Sequence, residues 1–471
     1  MACTTLLVGK TASYDGSTLI ARNDDSPSGV FTAKAMKVML PNEQPREYVS
    51  KIAHCKITLP DNPLRYTLMP NVDPKEGIWG AQGINEDNVA MTATETITTN
   101  ARVLGADPYV DNGIGEEDLV VLTLPYIHSA KAGVLRLGEL LATYGTYEPN
   151  GIAFSDGNDI WWLETIGGHH WIARRVPDDS YVMMPNQFGL DRFDFEDAYG
   201  AQKENLCSPD LLDFVKQHHL DLGQGTLFSP RLAFGSHSDS DHVYNTPRAW
   251  YMGRYFNPHT YRWDGENADF TPLSDDIPWC LVPERKITVE DVKYILSSHY
   301  QGTPYDPYGK DKEKAHLYRP IGVSRTSFLA CLQIRNGVAK ENAAIEWVAF
   351  GSNPFNAFVP LYTNVSRLPA YFTNATLDVD SHNFYWASRL IGALADAHYN
   401  TTAPVIQRYE LAVASQCRHV IEEAEKKADF SREAVNESLA KIAENETQKV
   451  LNQVLYLASC EMKNSFSLSD R

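Results

Sequence analysis

Short apolar runs broken by polar turns occupy most of the chain, and longer helical spacing takes over near its C-terminal end. Residues 3–9 (CTTLLVG) and 17–23 (STLIARN) flank a polar stretch with Asp15-Gly16 as its turn signal, which predicts an N-terminal β-hairpin. Residues 78–96 repeat the form, with Asn85-Glu86-Asp87-Asn88 as the turn. Between 151 and 186, GIAFS, DIWWLET, HHWIARR and YVMMPN are separated by DGN, IGG and VPDDS, the mark of an antiparallel meander. Helical apolar spacing appears in 117–128, where Pro125 forces a break or kink, in 129–145 with Gly145 as a stop, and in 289–299. From Phe384 the pattern is helical: one segment ends near Tyr399, and 403–463 presents Val450, Leu451, Val454 and Leu455 at helical intervals.

Composition narrows the class. The 471 residues carry 42 Lys+Arg against 60 Asp+Glu, a net charge of −18, with 43% hydrophobic and 22% charged residues. This is globular material, and its acidic balance argues against general nucleic-acid binding. No apolar stretch of about 20 residues predicts a membrane span. Seven widely spaced cysteines without a Cys-x-x-Cys pair do not form a disulfide framework or a zinc ribbon. The start, MACTTLLVGK, has no basic leader and too short an apolar run for a secretory signal, so a cytoplasmic location is expected.

Cys3 is the most informative residue. By position alone it reads as a small buried residue at the start of a strand. If Met1 and Ala2 were removed, however, its own α-amine would lie beside its thiol. With a pKa near 7.7–8.0, such an amine can serve as a general base close to neutral pH. The hairpin then brings Arg22-Asn23-Asp24-Asp25 towards Cys3. Arg22 is suited to hold a thiolate, and Asp25 to accept a hydrogen bond from the α-amine. The histidines of 169–170 and of HSDSDH (237–242) lack His-Glu-x-x-His spacing and read as loop or strand residues. Trp161-Trp162 reads as sheet core, and the charged run 422–434 as a solvated helix face.

The opening CTTLLVGKTASYDGSTLIARNDD resembles the start of the bacterial N-terminal-cysteine dipeptidases (A/D type), which are N-terminal-nucleophile hydrolases related to penicillin V acylase, bile salt hydrolase and the secernins. Matching stretches run through the chain, among them WGAQGINEDNVAMTATET, YVMMPNQFGLDRFDF, YNTPRAWYMGRYFNP, HYQGTPYDPYG, RPIGVSRTSF and FVPLYTNVSRLPAYF. The resemblance implies Cys3 as nucleophile, with Arg22 and Asp25 flanking it. It also implies Asn186 in the oxyanion hole and Arg248 as a distal active-site arginine. Glu95 falls where the acylases place an asparagine. An ionised carboxylate donates no hydrogen bond, so Glu95 is expected to bind the substrate ammonium instead, with Arg248 reading the substrate carboxylate.

Periodicity alone supports an α+β protein. The resemblance implies a four-layer αββα N-terminal-nucleophile sandwich spanning 3–400, with a helical extension over 401–471 packed on it. The expected activity is hydrolysis of dipeptides with broad specificity after removal of Met1-Ala2. No metal or organic cofactor and no nucleic-acid or membrane partner is expected, and the sequence leaves a homo-oligomer open. The rivals are an N-acyl amidase of the acylase kind and a silent, secernin-like protein.

Overall fold

The computed structural model describes residues 3–463. The strands are, in chain order, β1 (Thr4–Val8), β2 (Thr18–Asp25), β3 (Lys37–Met39), β4 (Glu47–Val49), β5 (Lys56–Thr58), β6 (Tyr66–Leu68), β7 (Gln82–Ile84) and β8 (Ala90–Thr96). There follow β9 (Asn150–Ser155), β10 (Ile160–Thr165), β11 (Trp171–Arg175), β12 (Tyr181–Met184), β13 (Asn205–Cys207), β14 (Cys280–Leu281), β15 (Thr326–Ile334), β16 (Ala344–Phe350) and β17 (Val359–Tyr362). Two antiparallel sheets dominate: one in the order β14-β12-β1-β2-β15-β16-β17, the other β13-β11-β10-β9-β8-β7. The fold is therefore mixed α/β, with antiparallel sheets and long C-terminal helices.

Side-chain alternation along β1 explains the packing. Leu6 and Val8 join a core with the helices, whereas Leu7 points the other way. With Leu7 lie Ile20, Val182, Met184 and Leu332 of the first sheet, and Ala153, Trp162 and Ile172 of the second. The second sheet buries its other face, including Trp161 and Leu163, against Val134 and Leu137 of the Ala130–Tyr144 helix. Ser129 caps that helix, and Gly145, at φ 67°, ends it.

The hairpins expected at both N-terminal sites form, with Thr5 opposite Arg22 and Gly83 opposite Met91. The meander does not stay in one sheet. β9, β10 and β11 are neighbours, but β12 crosses to pair with β1, with Thr5 opposite Met184. The 176–180 turn makes the crossing: Gly9 and Thr11 donate to Ser180 and Asp178 carbonyls, and a Cβ on Gly9 would lie 2.5 Å from backbone oxygens of that turn. The break expected at Pro125 within 117–128 forms: the stretch is two short turns, Leu119–Thr123 and Leu124–Tyr126, because Pro125 supplies no backbone donor.

The C-terminal helices span Phe384–Ala395, Tyr399–Glu425 and Arg432–Cys460. Val450, Leu451 and Val454 are buried, but Leu455 is 49% exposed, one residue past the apolar face. The charged run 422–434 includes the turn between the last two helices, and its Glu425 pairs with Arg335 and accepts from the Tyr362 hydroxyl. Asn436 exchanges two 2.9 Å hydrogen bonds with the Tyr362 backbone in β17. Among the described residues, no helix is long and apolar enough to cross a membrane.

Candidate active site

Cys3 lies just before β1 and is fully buried. Thr4 is opposite Asn23 and Thr5 opposite Met184, so the two registers carried on bring Asp24 and Asn186 alongside Cys3. The strand period of two then sorts the second strand's side chains. Arg22 and Asp24 share the face of Ile20, between the sheets, while Asn23 and Asp25 take the opposite face.

Arg22 is buried and central. Its Nη2 is 3.3 Å from Cys3 Sγ, 2.6 Å from Asp24 Oδ1 and 3.4 Å from Glu116 Oε1. Its Nη1 donates to the Ala81 carbonyl at 3.0 Å and to the Ala93 carbonyl. On the far side of Asp24, buried Lys34 places Nζ 3.4 Å from Oδ2. Burial drives the Asp24 carboxyl upward, but Lys34 and Arg22 together outweigh it and hold the group below its ordinary range. Burial also holds the Lys34 ammonium below its usual range, despite Asp24.

A second arginine closes the other side. Arg248 stands in the first turn of the Thr246–Phe256 helix, which Pro247 helps to start. It is fully buried and donates to the Cys3 carbonyl, and to Thr4 Oγ1 at 2.6 Å. It also donates to Asn186 Oδ1 at 2.6 Å, Asn245 Oδ1 at 2.8 Å and the Tyr244 carbonyl at 2.8 Å. All five guanidinium N–H groups are thereby engaged. In this geometry Arg248 clamps the backbone of the candidate nucleophile. Because Arg248 only donates, it fixes the Asn186 amide with its oxygen towards the guanidinium, and Nδ2 donates to the Thr96 carbonyl at 2.9 Å.

Asp25 accepts from Thr326 Oγ1 at 2.6 Å and pairs with buried Arg319. Two guanidiniums approach the Tyr244 ring, with Arg248 Cζ 5.3 Å and Arg319 Cζ 5.2 Å from its centroid. Glu95 lies in β8 opposite Gly151, beside an irregularity in the ladder; its side chain, like Met1 and Ala2, lies outside the described residues.

The structure thus gathers Cys3, Arg22, Asn186 and Arg248 into one contact network and places Asp25 on the reverse face of β2. It adds Asp24, Lys34, Glu116, Asn245 and Arg319, which sequence reasoning did not select. Asp24 was accessible to pleat parity, since residues 22 and 24 share a face. Glu116 was masked by an acidic run that reads as an ordinary helix start, and Lys34 carried no local signal. His169 and His170 both meet Asp107, at 3.1 and 2.7 Å, in the β10–β11 turn. The HSDSDH segment is a short capped helix rather than a loop, and Asp241 there holds Asn245 at 2.6 Å.

Comparison with known proteins identifies the family. Residues 2–412 match the family described as peptidase family C69. The chain is 52% identical over 532 residues to a dipeptidase of Bifidobacterium longum (strain NCC 2705), covering 100% of both chains. It is 53% identical over 479 residues to a protein named probable dipeptidase A of Streptococcus pyogenes serotype M3 (strain SSI-1), again covering 100% of both. Against dipeptidase A of Lactobacillus helveticus it is 44% identical over 472 residues, covering 96% of each chain. The chain belongs to peptidase family C69 and is a peptidase.

Proposed function

We propose that this peptidase is a cysteine dipeptidase of broad specificity, with Cys3 as its nucleophile once Met1 and Ala2 have been removed. The observation that carries the reading is the 3.3 Å contact between Arg22 Nη2 and Cys3 Sγ, in a chain whose relatives are named dipeptidases. A guanidinium at that distance favours the thiolate, the form of cysteine that attacks. Arg248, by holding the Cys3 carbonyl and the Asn186 amide together, keeps the candidate nucleophile and oxyanion donor in fixed relation. The two sheets sharing one apolar layer, with helices on their outer faces, support an αββα N-terminal-nucleophile sandwich.

In this mechanism the Cys3 thiolate attacks the scissile carbonyl, and N–H donors including Asn186 stabilise the tetrahedral oxyanion. The Cys3 α-ammonium protonates the departing amine. The resulting α-amine then takes a proton from water, which hydrolyses the thioester. Asp25, anchored by Arg319 and Thr326, is assigned to orient that amine, and Glu95 to bind substrate.

The test pairs intact mass with activity. The active species is expected to begin at Cys3 and to lose dipeptide hydrolysis in step with alkylation of that thiol. A homogeneous, active preparation that still carries Ala2 would overturn the maturation step.

A further inference from the structure

Several carboxylates gather on the Arg22 side of Cys3. Asp24 and Glu116 both meet Arg22, Lys34 pairs with Asp24, and Glu117 and Glu148 stand next to Glu116. Behind Glu116, burial and the charge of Glu116 push the Glu148 carboxyl up to about 7. Asp24 and Glu116 both reach the Arg22 nitrogen that meets Cys3, and Asp24 is also held by Lys34. One guanidinium nitrogen of Arg22 reaches Cys3 Sγ at 3.3 Å and Glu116 Oε1 at 3.4 Å.

That spacing matches the shape of an amino-terminal substrate residue. Its nitrogen lies two bonds from the scissile carbonyl carbon, about 2.5 Å away. A sulfur poised for attack stands about 3–3.5 Å from that carbon, and an ammonium pairs with a carboxylate at about 2.8 Å. A carboxylate that reads the amine therefore belongs within about 9 Å of the nucleophile. The shared Arg22 nitrogen sets Glu116 and Cys3 within that span.

The segment holding Glu116 is built to stay in place. A Cβ on Gly115 would lie 2.2 Å from Tyr147 Oη, so the turn sits hard against Tyr147. Tyr147 in turn donates to Glu117 at 2.6 Å, and the Glu116 backbone N–H donates to Glu148 Oε1 at 2.7 Å. The side chain is 2% exposed.

We propose that Glu116 is a specificity-determining residue that receives the α-ammonium of the substrate, so that the enzyme selects peptides with an unblocked amino terminus at the scissile residue. This rests on the dipeptidase reading above and adds a carboxylate to it. Such a pair forms out of bulk water, where an unmatched charge is costly, so blocked substrates are rejected.

The experiment compares kcat/KM for L-alanyl-L-leucine and its des-amino counterpart, propanoyl-L-leucine, on the processed enzyme. The parent is expected to prefer the dipeptide by at least about tenfold. Glu116→Gln keeps the shape and removes the charge. It is expected to bring the ratio to within about twofold, through a higher KM for the dipeptide, and Glu116→Asp to give an intermediate ratio. A parent without preference, or a folded Glu116→Gln that keeps it, overturns the proposal. If Glu116→Gln does not fold, Glu116→Asp decides, and an unchanged ratio there overturns it. Failure of the wider reading looks different: Cys3→Ala would then still hydrolyse the dipeptide.

Discussion

Two buried polar regions handle charge in opposite ways. Around Cys3 the groups come as ions of both signs: Arg22 with Asp24 and Glu116, Lys34 with Asp24, Arg319 with Asp25. Inside the sheets, Glu164 and Glu346 are equally buried but meet neutral donors. Glu164 accepts from Gly189 and Leu190 N–H and from Trp162 Nε1, and Glu346 from Gln82 and Thr67. Asp24 is held below its ordinary range, whereas burial pushes both glutamates up to about 7. Burial is common to the two regions, and the counter-ion decides the protonation state. A fold that pairs charges at one place and neutralises them elsewhere marks that place as its chemical centre.

The sharpest test of the contrast is removal of the sulfur. Cys3→Ala is expected to lower hydrolysis by at least about a thousandfold, while stability changes by only about 1 kcal/mol. Activity and denaturant unfolding measured on one preparation separate the two effects. Next comes the ionic network itself. Arg22→Met leaves Asp24 and Glu116 without their guanidinium and is expected to cost about 3–5 kcal/mol in urea unfolding, with activity also lost. A stable, active Arg22→Met would break the comparison.

The third test uses pH, because the two regions respond with opposite sign. Asp24, held low, contributes stability above its unfolded pKa, and this is lost as pH falls through the folded value. Glu346, held high, keeps its proton in the folded state after the unfolded chain has released it. Its contribution is present below about 4.5 and is lost as pH rises towards 7. Glu346→Gln should therefore match the parent at pH 4 and exceed it by about 3 kcal/mol at pH 8. An equal difference at both pH values would show that Glu346 is not the titrating group. The smallest effect is expected far from either region. Leu455→Ser on the outer face of the last helix should stay within about 0.5 kcal/mol in thermal unfolding.

What could be read from the chain follows the range of the forces involved. Turn residues and alternating apolar positions placed both N-terminal hairpins, because those pairings close over a few residues. The stop at Gly145 marked the end of the Ala130–Tyr144 helix in the same local way. Pleat parity was also available, and it separates Asp24 from Asp25 before any tertiary contact is known.

The sequence by itself determined the hairpins, the helices with local caps and the candidates Cys3 and Arg22, brought together by one short turn. The tertiary structure alone decided the rest of the site. No local rule sends β12 to β1 and leaves β11 in the other sheet, yet that crossing brings Asn186 to Cys3. No periodicity makes Arg248 bind the Cys3 carbonyl or lets Glu116 share a guanidinium with Sγ. Those contacts join residues far apart in the chain, and the closure entropy of such loops is met only by burying both sheets together.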